Sequence, residues 1–187
     1  KIIDGDIEVD QMEVDVEEEC LKILALYQPV AIDLRFVVAV LKINGDLERV
    51  GDLAVNIAER ALFLAKQDPS IAVPDFTEMI QKSLAMLRLA LDSLMMRDIA
   101  LARHVCMLDD EIDEMNRRIF GTVQAGIVSN PARIEPLLHF LSISRHLERI
   151  ADYATNVAEE VIYMIKGEII RHRVEVFIAQ TESDGAQ

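Results

Sequence analysis

Leu47-Glu48-Arg49-Val50-Gly51-Asp52 returns, one hundred residues later, as Leu147-Glu148-Arg149-Ile150-Ala151-Asp152. Comparing 47–66 with 147–166, nine of twenty positions are identical: Leu47, Glu48, Arg49, Asp52, Ala54, Asn56, Ala58, Glu59 and Lys66. Upstream, Asp6-Ile7-Glu8-Val9-Asp10-Gln11-Met12 is echoed by Asp109-Asp110-Glu111-Ile112-Asp113-Glu114-Met115, displaced by 103. Two matches in the same order, at nearly the same displacement, imply an internal duplication. In the second copy the acidic stretch follows a helical segment beginning near Asp75. The corresponding position in the first copy falls before Lys1, so the chain reads as a fragment lacking the first helix of its first unit.

Punctuation divides the rest. Tyr27-Gln28-Pro29 interrupts the first helical pattern, 67–74 with Pro69 and Pro74 interrupts the second, and Ser129-Asn130-Pro131 makes a third break. Between the last two, Ile80, Leu84, Leu87, Leu91 and Leu94 recur at spacings of three and four, one face of an amphipathic helix. Asp98 is placed to cap the next helix and Gly167 to end the last. The expectation is all-α: five helices at about 1–26, 31–66, 75–96, 98–128 and 132–166. These form a tandem repeat of two three-helix bundles, the first bundle lacking its first helix. A first repeat spans 1–68, a second 75–172, and 173–187 is a flexible C-terminal tail.

Composition agrees. The 187 residues are 51% hydrophobic, with 7 glycines, 5 prolines, 5% aromatics and no tryptophan, which disfavours barrels, sandwiches and linkers. Acidic residues outnumber basic ones 33 to 19, a net charge of −14 that repels phosphate backbones and argues against nucleic acid. Cys20 and Cys106 stand singly, against a disulfide scaffold. No apolar run approaches the ~18 residues of a membrane span, and no signal-peptide pattern opens the chain. A soluble, cytoplasmic protein without direct membrane insertion is expected.

The duplicated acids carry the functional signal. At about 100° per residue, Asp6, Asp10, Glu13 and Glu17 form one stripe flanked on both sides by apolar residues. Glu48, Asp52 and Glu59 share a stripe on the next helix, and Glu159 repeats Glu59. These stripes are expected to face inward. A hairpin folded about Pro29 sets Asp10 opposite Glu48 and Asp6 opposite Asp52. A second, turning at Asn130-Pro131, sets Asp113 opposite Glu148 and Asp109 opposite Asp152. Each repeat thus gathers four carboxylates at two adjacent levels. Ionised carboxylates that close repel one another, and burial adds a desolvation cost. Multivalent cations would relieve this, as would an ion-pair network drawn from Arg49 and Arg149. Oxygen-only donors suit Mg, Mn, Ca or iron over zinc. His104, His139, His146 and His172 lie off the stripes and read as structural or surface residues, and the Glu-x-x-His pattern of di-iron bundles is absent. Met95-Met96 reads as core or helix-end packing. Asn56 and Asn156 read as interhelical or supporting polar groups.

Gln28-Pro29, Asp33-Leu34-Arg35, the two Leu-Glu-Arg-x-x-Asp segments and Tyr163-Met164-Ile165-Lys166-Gly167 resemble the PhoU family of phosphate-signalling regulators, over about residues 1–172. The resemblance implies tandem three-helix bundles with multinuclear metal, often iron, on the carboxylate motifs. Carried over by position, the ligands are Asp6, Asp10, Glu48 and Asp52 in one bundle and Asp109, Asp113, Glu148 and Asp152 in the other, with Glu13, Glu59 and Glu159 secondary. Asn116, where the first repeat has Glu13, departs from an equal pair of sites. The implied role is non-enzymatic: an adaptor between the ATPase subunit of a phosphate ABC transporter and a sensor histidine kinase, keeping the phosphate regulon repressed, with a homo-oligomer (a dimer) expected. No Ser/His/Asp set, Cys/His pair or phosphate-cradling glycine loop contradicts it. The alternatives are a carboxylate-bridged metalloenzyme and a metal-free helical scaffold.

Overall fold

The computed structural model describes residues 2–68 and 71–168. His172 and the expected tail lie outside the described residues. Five helices follow one another: α1 (Ile2–Tyr27), α2 (Ala31–Leu64), α3 (Thr77–Met96), α4 (Ile99–Ser129) and α5 (Ile134–Lys166), with a short 3-10 turn, Pro131–Arg133, before α5. The expected punctuation acts as local chemistry requires. Asp98 accepts from the backbone N–H groups of Ala100 and Leu101 at 2.7 and 3.2 Å, satisfying two donors at the start of α4. Asn130 accepts from Ala132 N–H at 3.2 Å, and Pro131 opens the next turn, where no amide hydrogen is needed. Gly167 takes φ 75° and returns its N–H to the Tyr163 carbonyl at 2.8 Å, closing α5.

The helices pair as two hairpins, α1–α2 and α4–α5, with α3 lying over the second. α5 is the central element, packed on α2, α3 and α4, which is why most of its residues at helical spacing are apolar and buried. Met79, Met86 and Ala90 of α3, Val105, Ile112 and Val123 of α4, and Phe140, Val157 and Val161 of α5 make one core. Each large side chain buried there contributes about 1.5–3 kcal/mol.

The repeat makes the first hairpin a comparison for the second. Val105 and Met115 are buried beneath α3, whereas their counterparts Ile2 and Met12 are 59% and 58% exposed. Of this face in α1, Cys20 stays buried, as its counterpart Val123 does. No described element lies over the first hairpin as α3 lies over the second.

The hairpins join through α2 and α5, which run antiparallel. Phe63 stacks on His139 with centroids 4.0 Å apart. Lys42 Nζ meets Glu160 at 3.0 Å and lies 5.4 Å from the Tyr163 ring centroid, and Arg35 Nε donates to the Met164 carbonyl at 3.3 Å. Arg35, Lys42 and Phe63 on α2 and His139, Glu160 and Gly167 on α5 fall on seven-residue series that also take in Arg49 and Asn56 on α2 and His146 and Tyr153 on α5. That period is the signature of a seam between two helices.

Two expectations are corrected here. Met95 and Met96 are strongly exposed at the end of α3, because their helical phase puts them off the face on which Met79, Met86 and Ala90 are buried. Asn56 spends its amide on the Asp52 carbonyl of its own helix, at 2.8 Å.

Candidate metal centre

In both hairpins the acids expected to face one another act on one another's charge. In the α4–α5 hairpin, burial pushes the Asp109 carboxyl up to about 6, aided by the charges of Asp152, Asp113 and Asp110 and opposed by Thr155, whose hydroxyl donates to Asp109 at 3.5 Å. Asp152 is likewise raised to about 6, by partial desolvation and then by Glu148 and Asp113, with Arg149 opposing. Glu148 is raised by burial and by Asp113 and Asp109, against Arg145 and Arg149. Charges shift one another in this way only when they share one neighbourhood, so the four carboxylates form a quartet.

The α1–α2 hairpin repeats the pattern more openly. Asp6 is raised by desolvation, then by Asp10 and Asp52. Glu48 is raised by desolvation, then by Asp52, Asp10 and Glu13, with Arg49 opposing. The inward orientation holds only in part: Asp6 and Glu48 are half-buried, while Asp10 and Asp52 are exposed. In the second quartet Asp109, Asp113 and Glu148 are half-buried and Asp152 is exposed. Gly51 adds a difference. A β-carbon there would sit 3.5 Å from Asp6 Oδ1, and the counterpart Ala151 carries such a carbon.

The secondary acids divide. Glu13 belongs with the first quartet through its effect on Glu48. Glu159 acts instead on Cys106, whose thiol burial pushes up to about 12, and Glu59 is exposed. Thr155, Asp110 and Arg145 were not legible as site residues. Thr155 has Val55 as its repeat counterpart, so duplication gives no sign of it.

The donors are all hard oxygens at two levels of a rigid helix pair, which fits Mg, Mn, Ca or iron. Among the described residues, no three His, Cys, Asp or Glu side chains converge closely enough to form a ready-made cage. Unneutralised carboxylates repel, so a cation would have to draw them together by side-chain rotation. The competing arginines are engaged elsewhere: Arg49 pairs with Asp46 at 3.7 Å, and Arg149 donates to the Tyr153 hydroxyl at 3.3 Å. They reach the quartets only as nearby charges.

Fold and site together define a duplicated, all-helical protein with one carboxylate quartet in each helix hairpin. A family model described as "PhoU domain" matches residues 1–61 and 76–161. The phosphate-specific transport system accessory protein PhoU homolog of Aquifex aeolicus is 39% identical over 173 residues, covering 92% of this chain and 78% of that protein. The corresponding Caulobacter vibrioides homolog is 37% identical, covering 89% and 73%. The crystal structure of PhoU from Pseudomonas aeruginosa superposes with a TM-score of 0.83 at 33% identity, over 89% of this chain and 80% of that one. The phosphate transport system regulatory protein PhoU from Streptococcus pneumoniae gives 0.82 at 30% identity, over 90% and 79%. The chain belongs to the PhoU family.

Proposed function

We propose that this protein is a non-enzymatic regulator of phosphate uptake and of the phosphate regulon, acting in the cytoplasm as a helical platform. Its partners are the ATPase subunit of a phosphate ABC transporter and the sensor histidine kinase of a phosphate two-component system. Relatives named as accessory proteins of phosphate-specific transport support the first part. That no helix among the described residues is long and apolar enough to cross a membrane is consistent with docking on partners.

The quartets supply the platform's mechanism. Asp6, Asp10, Glu48 and Asp52 would hold cations between α1 and α2, and Asp109, Asp113, Glu148 and Asp152 between α4 and α5. A bound cation neutralises the repulsion within each quartet and ties the facing helices, fixing the hairpins in one geometry. The observation that carries this reading is the repetition of one carboxylate neighbourhood in both hairpins. Pull-down of the transporter ATPase and the kinase by the metal-loaded protein tests it. Retention of both partners is expected. Failure to retain either, with the protein folded and loaded, would remove the adaptor role.

A further inference from the structure

The α2–α5 seam leaves one place chemically unfinished. Lys42 closes on Glu160, Phe63 on His139, and Arg35 on the end of α5. The same register sets His146 beside Asn56, between those closed contacts. Both ring nitrogens of His146 are buried and have no hydrogen-bond partner among the described residues, and the same holds for Nε of Arg60 one turn along α2. An imidazole offers a donor and an acceptor, or two donors when charged, and leaving buried groups of this kind unmet costs about 1–3 kcal/mol each. Two arginines stand one turn from this level of the seam, Arg60 beyond Asn56 on α2 and Arg149 beyond His146 on α5. Among the described residues, Arg60 makes one hydrogen bond, Nη1 to the Asn56 carbonyl at 3.4 Å, and Arg149 one, to the Tyr153 hydroxyl. Arg149 also eases Glu148 and Asp152, but Arg60 has no such duty.

The duplication indicates what is missing. The counterpart of His146 is Asp46, which forms an ion pair with Arg49, the counterpart of Arg149. The counterpart of the Lys42–Glu160 pair, read in the other direction along the seam, sets Arg60 opposite Ser142. Ser142 donates its hydroxyl to the Leu138 carbonyl. At both positions the repeat has an acid on one side and none here. The result is a cationic, unsatisfied cluster inside a chain of net charge −14.

We propose that Arg60, His146 and Arg149 form a binding site for a small oxyanion such as inorganic phosphate, seated between the two repeats. Guanidinium forks match the oxygen spacing of such an anion, and the imidazole N–H supplies a further donor. Arg149 is exposed, so its side chain can swing aside without parting the helices. The site joins α2 to α5, so an anion there would bias how the two hairpins pack. This inference goes beyond the adaptor reading and does not depend on it.

The test is heteronuclear NMR of the His146 ring, assigned by its loss in His146→Gln, during titration of the full chain with inorganic phosphate. Chloride holds the ionic strength constant, and a chelator excludes phosphate held through a metal. A saturable shift with phosphate, absent with chloride, is expected. Arg60→Gln should weaken it by about tenfold or more, the loss of one charge-assisted bond, while Arg60→Lys keeps part of it. No phosphate-specific shift in the wild type, or an equal response in folded Arg60→Gln, would overturn the site. Should Arg60→Gln fail to fold, the wild-type titration and Arg60→Lys decide.

Discussion

Ser144 Oγ donates to Asn116 Oδ1 at 2.6 Å, tying α5 to α4 about one turn from the second carboxylate quartet. The counterpart residues in the first hairpin keep the same register by another bond, with Asn44 Nδ2 donating to the Glu13 carbonyl at 2.7 Å. Asn116 therefore replaces a carboxylate of the first repeat with a structural tie, so the acid that flanks the first quartet at Glu13 has no equivalent at that position beside the second. Ser144 is fully buried. Ser144→Ala leaves the Asn116 oxygen without this donor and should lower stability by about 1–2 kcal/mol, read as a lower urea midpoint with unchanged slope.

Acidity provides a second prediction. Asp109 and Asp152 have folded-state values near 6, above the ordinary 3.8, so the folded state binds more protons than the unfolded one between those limits. Stability then falls as pH rises through that window. Metal-free protein should melt higher at pH 5 than at pH 7, and Asp109→Asn should flatten the dependence. A cation that neutralises the quartet should flatten it too.

Lys42 carries a third. Glu160 is buried, and Lys42 bonds both of its oxygens, at 3.0 and 3.1 Å. Lys42→Met should destabilise by about 3 kcal/mol, because it strips a buried carboxylate of this counter-charge. The double variant with Glu160→Gln should recover much of the loss in denaturant titration.

The uncovered first hairpin gives a fourth. Ile2, Met12 and Val16 are exposed along one face of α1, an apolar surface of the kind that drives association. The 187-residue chain should self-associate through it. Met12→Lys with Val16→Glu should shift it toward monomer in light scattering while far-UV circular dichroism stays helical. Association unchanged by these substitutions would exclude α1 as the contact.

Much of this architecture was legible because its causes are local. Prolines and caps act within a turn, so Asp98, Asn130-Pro131 and Gly167 fixed helix ends close to where they were expected. That the duplicated acids of each hairpin share one neighbourhood was legible from the turn positions. Their partial exposure was not legible, since it depends on whether a third helix lies over the hairpin. The α2–α5 seam was missed because its partners, such as Phe63 and His139, lie far apart in sequence and no turn relates them. Met95-Met96 misled because residue type was read without helical phase, which puts both off the buried face of α3.

Cation binding by both quartets is the central claim, and elemental analysis with thermal melts tests it most directly. The comparison is wild type against Glu48→Ala/Asp52→Ala and Glu148→Ala/Asp152→Ala, with and without chelator. Each double variant should lose the cation of its own hairpin only, and chelation should lower the wild-type melting temperature, as for any ligand that binds only the folded state. A wild type that is metal-free when purified without chelator, and whose melting is indifferent to added Mg, Mn, Ca or iron, would contradict the claim.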